Sequence, residues 1–180
     1  MFYSIYRDHK ILKYKSLIFN AGNMIDAITS GSDTEQLGGS GIFILGWLMP
    51  QGDTDEYSLT FSVPKDARKG YHKSRVFVHL ISDNLSIPMG DRFSIRLSSL
   101  FSKANEVIDI ANLSTVNREN ILVQTSPGSK QYNHYVIEFF LDDFIHAEDF
   151  ALLSIARIPA FNDYAGSIAI TSIEFRYICC

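Results

Sequence analysis

From about residue 41 the chain repeats one pattern: a short run rich in Ile, Val, Phe and Tyr, then a cluster of turn-forming residues. The runs are GIFILGWLM, EYSLTFSV, SRVFVHLIS, DRFSIRLS, HYVIEFFL, FALLSIAR and GSIAITSIEFRYI, with a further candidate at NEVIDI. Several alternate with period two, the spacing at which a strand sends one set of side chains to a core and the other to water. Leu59, Phe61 and Val63 oppose Ser58, Thr60 and Ser62, and Phe93, Ile95 and Leu97 oppose Arg92, Ser94 and Arg96. Val76, Val78 and Leu80 alternate with Phe77, His79 and Ile81, which predicts a strand covered on both faces. In the last run Ile168 and Ile170 share one phase while Ile173, Phe175 and Tyr177 take the other, so a bulge is expected near Thr171 and Ser172.

The separators MPQGDTDE, VPKDARKGYHK, SIPMGD, TSPGSKQYN, DDFIHAED and IPAFNDYAG are rich in Pro, Gly, Asp and Asn and read as turns. No long amphipathic helix is visible. Residues 98–123 fit either a short helix or a strand pair within a long crossing. Many short strands joined by long crossings predict an all-β fold, an antiparallel β-sandwich of jelly-roll topology over residues 41–178. Residues 1–40 differ, offering a short strand, a helical turn and a Gly- and Ser-rich linker, and are expected to form an N-terminal arm that attaches elsewhere.

Composition narrows the function classes. At 180 residues, 46% hydrophobic and 20% charged, the chain can bury a core of its own as one domain. A formal net charge of -4 gives no electrostatic footprint for nucleic acid, and the basic run from Arg7 to Lys15 reads as a solvated face. The most apolar run, residues 41–49, falls far short of the ~20 residues of a membrane helix. The first ten residues carry charge where a secretion leader would be apolar, so a leaderless protein with no membrane insertion is expected. Cys179 and Cys180 are adjacent and terminal, cannot join distant strands, and are expected as free thiols on a frayed end.

Candidate chemistry is sparse. GGSGIFILGW has a Trp where a phosphate loop needs Lys. The histidines at 9, 72, 79, 134 and 146 are scattered rather than paired within one strand, as a metal site on facing strands would have them. DDFIHAED lacks the glycine and spacing of a calcium loop, and no G-x-S-x-G occurs. The expectation is a protein with no catalytic residue, no metal and no cofactor. Aromatics with a polar tip suit sugar stacking and protein interfaces. From Trp47, Tyr57, Tyr71, Tyr132, Tyr135, Phe161 and Tyr164, the pair Trp47 and Tyr164 is taken as the candidate binding aromatics on loops.

RIPAFNDYAG, residues 157–166, concentrates polar groups between two strands and reads as a structural corner. Pro159 stops the ladder because it has no N–H. Asn162 and Asp163 suit a side-chain-to-backbone turn, Gly166 lets the chain re-enter a strand, and Arg157 is placed to pair with Asp163 across the corner.

SIARIPAFNDYAGSIAITSIEFRY resembles the closing hairpin of jelly-roll structural proteins of tailed bacteriophages and prophages, and GWLMPQGDTDEYSLTFSV followed by SRVFVHLIS is similar in order. The resemblance spans roughly residues 41–178 and is most specific over the last thirty or so. It implies a non-enzymatic virion component that decorates a capsid or forms part of a tail or fibre. Its partners would be itself, as a homo-oligomer with a trimer favoured, and other virion proteins; its location would be the virion, or the host cytoplasm before assembly. A carbohydrate-binding, lectin-like adhesion domain on the same fold, with a glycan as partner, is the alternative function.

Overall fold

The computed structural model of the chain describes residues 13–26, 34–37, 44–52, 56–68, 74–82, 90–103, 105–123, 133–141 and 145–179. In chain order the strands are β1 (Lys13–Asn20), β2 (Ile25–Asp26), β3 (Thr34–Leu37), β4 (Ile44–Met49), β5 (Glu56–Ser62), β6 (Arg75–Ser82), β7 (Arg92–Ser102), β8 (Ser114–Leu122), β9 (Asn133–Phe140), β10 (Phe150–Ile158) and β11 (Ile168–Cys179). Short 3-10 turns occupy Ala21–Asn23 and Ile110–Asn112. Among the described residues no helix is long and apolar enough to cross a membrane.

Two antiparallel sheets result. The six-stranded sheet runs β3-β4-β11-β6-β9 with β1 also on β11, and the five-stranded sheet runs β2-β5-β10-β7-β8. For β4 to β11 the orders 4-11-6-9 and 5-10-7-8 alternate between the sheets, the winding of a jelly roll. The period-two pattern explains the packing. Leu59, Phe93, Ile95, Leu97, Leu153 and Ile155 point inward from one sheet and meet Val76, Val78, Leu80, Ile173 and Phe175 from the other, all at most 3% exposed. Each such side chain contributes roughly 1.5–3 kcal/mol of burial. Phe61 and Phe175 join the layers with ring centroids 5.1 Å apart.

The β11 bulge lies where the hydrophobic phase slips, with the register to β6 shifting between Ile170 and Ser172. It lets both halves of the strand keep their apolar side chains in the core. Residues 98–123 hold the end of β7, an exposed crossing with one 3-10 turn, and β8. NEVIDI is therefore not a strand. Val107 is 91% exposed, and a turn bond from Glu106 N–H to Lys103 O (3.1 Å) replaces any ladder.

The segment expected as an arm is, where described, part of the sandwich. β1 pairs with β11 from Lys13↔Cys179 to Asn20↔Ser172, β2 pairs with β5, and β3 with β4. Leu17 and Phe19 pack against the core, and without β1 the second half of β11 would be an open edge. Cys179 departs from the expected frayed end for the same reason. It is a buried free thiol within β11, its Sγ 3.5 Å from the Lys13 carbonyl. Cys180 lies outside the described residues.

Candidate functional site

The corner is built around Arg157. Strand alternation continues from Leu153 and Ile155 to put this guanidinium on the inner side of β10, where an unpaired charge would be costly. It is 4% exposed and surrounded by acceptors. Nη1 donates to Met49 O (3.0 Å) and Gly166 O (2.7 Å), and Nη2 donates to Tyr164 O and to Asp163 Oδ1 (3.2 Å). Pro159 follows the last residue of β10, and Asn162 takes the left-handed conformation with φ 56°. Gly166 is corrected in role. It is not among the positive-φ residues, and what it gives the corner is its carbonyl, to Arg157.

The corner also ties distant strands. Asn162 Nδ2 donates to Asp91 Oδ1 (3.0 Å), while Arg92 N–H donates to Asn162 O (3.0 Å) and Tyr164 N–H to Arg92 O (2.7 Å). Phe161 N–H donates to Asn120 Oδ1 (2.8 Å). Asn120 sits at φ 55° where β7 and β8 shift register between Phe93 and Ile95, and its own N–H is held by Ser94 Oγ (3.0 Å). The irregularity aims the Asn120 amide out of the ladder and toward the loop. Phe161 is thus a 78% exposed ring on a backbone that is tied down.

Beside this loop, Gly52, Arg96, Ala156, Arg157, Ile158, Pro159 and Asp163 line a cleft of about 260 Å³ at the end of β10. Two rows of outward side chains approach it. In one, Glu56, Ala156, Arg96 and Asn117 stand opposite one another across β5, β10, β7 and β8. Ala156 is small enough for the Arg96 guanidinium and the Glu56 carboxylate to meet above it, which accounts for its 3% exposure. In the next row Ser58, Ser154, Ser98 and Thr115 form a line of hydroxyls over the same strands. Ser154 Oγ links the rows, 3.1 Å from Glu56 Oε2 and 3.2 Å from Ser58 Oγ. The result is a charged fork, hydroxyls, a small aliphatic floor and an exposed aromatic ring at one end of a sheet.

The sequence-selected aromatics are placed differently. Tyr164 is 1% exposed and belongs to the core, so it is corrected from a binding aromatic to a packing one. Trp47 is half-buried in β4 rather than on a loop. Its indole N–H donates to Ala21 O (2.7 Å) and its ring lies 5.1 Å from that of Tyr57. Tyr57 is buried with its hydroxyl on Leu48 O (2.7 Å), Tyr135 is buried, and Tyr71 and Tyr132 lie outside the described residues. Of the acidic loop, residues 142–144 lie outside the described set, and Asp149 Oδ2 accepts the His146 backbone N–H (2.7 Å). Two histidines that are far apart in sequence do meet: His79 Nδ1 and His134 Nε2 are 3.2 Å apart on the outer face of the six-stranded sheet. Their residue types gave no signal of this; only the β6–β9 register brings them together.

No protein-family model and no curated protein sequence matches the chain. Among solved structures, the chain is similar to the xylan-binding module CBM15, with 9% identity, a TM-score of 0.50, and coverage of 92% of this chain and 97% of that one. A carbohydrate-binding module specific for non-crystalline cellulose, CBM28, aligns at 13% identity and TM-score 0.43 over 87% of this chain and 86% of its own. CBM36, a carbohydrate-binding module solved with calcium and xylotriose, aligns at 11% and 0.42 over 88% and 98%. The likeness to CBM15 establishes a shared fold.

Proposed function

We propose that the chain is a non-catalytic carbohydrate-binding module whose ligand lies in the cleft beside Arg96 and Glu56. The observation that carries this reading is a polar fork, Arg96 with Glu56, beside a cleft whose bordering loop, at Pro159 and Asp163, also bears a backbone-tied, exposed aromatic. A sugar offers vicinal hydroxyls, each donor and acceptor, together with an apolar face of C–H groups. Glu56 supplies acceptors, Arg96 donors, Ser58 and Asn117 both, and Phe161 a flat apolar partner. The cleft lies just under the roughly 300–1,000 Å³ of drug-sized pockets, a size suited to one stretch of a longer chain that runs along the sheet. The jelly-roll fold shared with a xylan-binding module supports the reading and makes xylan-type chains the first ligands to test.

The experiment is calorimetry against xylo-, cello- and manno-oligosaccharides with E56Q, R96A and F161A. These side chains are at least partly exposed, so thermal stability should stay close to wild type. E56Q and R96A should each weaken binding about tenfold or more, the scale of a hydrogen bond to a charged group, and F161A about threefold to tenfold, the scale of a lost aromatic contact. Binding unaffected by all three variants, or no binding to any glycan, overturns the proposal.

A further inference from the structure

The outer face of the six-stranded sheet holds a second arrangement that the cleft does not use. His79 on β6 faces Val136 in the ladder and His134 faces Ile81, so the two imidazoles are diagonal neighbours across one strand pair. Their planes are within 14° of parallel and their centroids 5.4 Å apart. With Nδ1 of one and Nε2 of the other 3.2 Å apart, the nitrogens confront each other edge to edge, and one ring must donate while the other accepts. His134 is exposed and His79 half-buried, so solvent reaches the pair.

We propose that His79 and His134 form a two-imidazole chelate for a borderline divalent cation, Zn²⁺, Ni²⁺ or Cu²⁺. The separation carries the argument. Two nitrogens bound at ~2.0–2.1 Å to one tetrahedral ion lie about 3.3–3.4 Å apart, so the pair already holds the bite of such an ion. The ion would take the place of the shared proton once each ring turns by about 35°, which aims both lone pairs at one point. Imidazole selects these cations over Mg²⁺ and Ca²⁺, which prefer oxygen. Among the described residues no group of three or more His, Cys, Asp and Glu converges, so water completes the coordination and the site remains open. Glu174, close enough to act on His79 electrostatically, adds a negative charge. Its three hydrogen bonds, from Ser16 and Arg176, all fall on Oε1, which leaves Oε2 directed at no protein donor among the described residues.

The test is a Zn²⁺ titration of the full chain, read from the histidine imidazole resonances by NMR, with H134Q, H79Q and, as a control, H146Q. The His79 and His134 signals should shift together and saturate with one ion. In H134Q the His79 signal should need about 100-fold more Zn²⁺, because the second ligand acts as an intramolecular partner at high effective concentration. H146Q should behave as wild type. Since His134 is exposed, its loss leaves the fold intact, which the dispersion of the same spectra verifies. Signals of His79 and His134 that stay unmoved at millimolar Zn²⁺, or a His79 response unchanged in H134Q, overturn the proposal.

Discussion

Asn120 holds Phe161: its Oδ1 accepts the Phe161 backbone N–H at 2.8 Å across 41 positions of sequence. The bond connects an irregularity in one strand to the tip of the loop between β10 and β11. An aromatic ring that is 78% exposed would be unremarkable on a loose loop, but here the backbone beneath it is fixed before any ligand arrives. N120G tests that preorganisation, since Gly keeps the positive φ and removes only the side-chain acceptor. Glycan affinity should fall by about threefold to tenfold, the worth of one hydrogen bond, with the ring itself unaltered. Equal affinity in N120G and wild type, measured by calorimetry, would show that the tether has no part in binding.

Arg157 has a different duty. Four acceptors, one from β4 and three from the loop, converge on it, so removing the fork leaves buried carbonyls and Asp163 without their donor. R157K keeps the charge but cannot reach four acceptors in a plane. Its cost should be about 3 kcal/mol, the scale of breaking a buried pair. Urea denaturation should show a lower midpoint at unchanged slope. Should R157K match wild type, the guanidinium would not be what holds the corner.

β4 to β7 and β9 to β11 were legible in the sequence because burial on one face imposes alternation, and the phase slip after Ile170 announced the bulge for the same reason, whereas β8 lay in a stretch that fitted either a helix or a strand pair. The corner was legible because Pro159, Asn162 and Asp163 act over a few residues. Those same residues carried the resemblance to phage structural proteins. In the structure Asn162 is tied to Asp91 and Arg92 and Asp163 to Arg157, contacts that shape the corner and do not select one function. The cleft was not legible. Glu56 and Arg96 lie 40 positions apart and meet only because β5 and β7 both flank β10, with a small Ala156 between them. Tyr164 was misplaced because its short distance from a turn hid the fact that its side chain returns to the core. The role of residues 13–20 was hidden as well, since their partner, β11, is the last strand of the chain.

That last pairing predicts a strong effect of truncation. Deleting residues 1–23 removes β1 and the turn that accepts the Trp47 indole N–H, and opens the β11 edge from Ser172 to Cys179. Leu17 and Phe19 also leave the core margin. A detachable arm could be removed without cost. Here the loss should be at least about 3 kcal/mol, with self-association through the exposed edge. Size-exclusion chromatography and thermal unfolding read both effects, and the single Trp reports the local change by fluorescence. A monomeric truncation with unchanged unfolding temperature would refute the assignment of β1 to the sandwich.

A clasp over the same junction predicts a pH dependence. Asp66, in the turn after β5, accepts from Lys15 Nζ of β1 (2.5 Å) and from the Tyr177 hydroxyl of β11 (3.1 Å). The Lys15 hydrogen bond is the main force holding the Asp66 carboxyl below its ordinary 3.8, and the same bond holds Lys15 above 10.5. The signs follow from linkage. A depressed carboxyl contributes stability above its ordinary value and loses it as pH falls through the folded one, whereas a raised ammonium contributes below its ordinary value and loses it as pH rises through the folded one. The clasp is therefore whole between about pH 4 and pH 10 and fails on either side. Both groups are exposed to water, so the effect is small and shrinks with salt. D66N should lower the urea midpoint slightly at neutral pH, and the gap from wild type should close as pH falls through the depressed carboxyl of Asp66 and as it rises through the raised ammonium of Lys15. A gap of constant size across that range would mean that Asp66 acts through packing rather than charge.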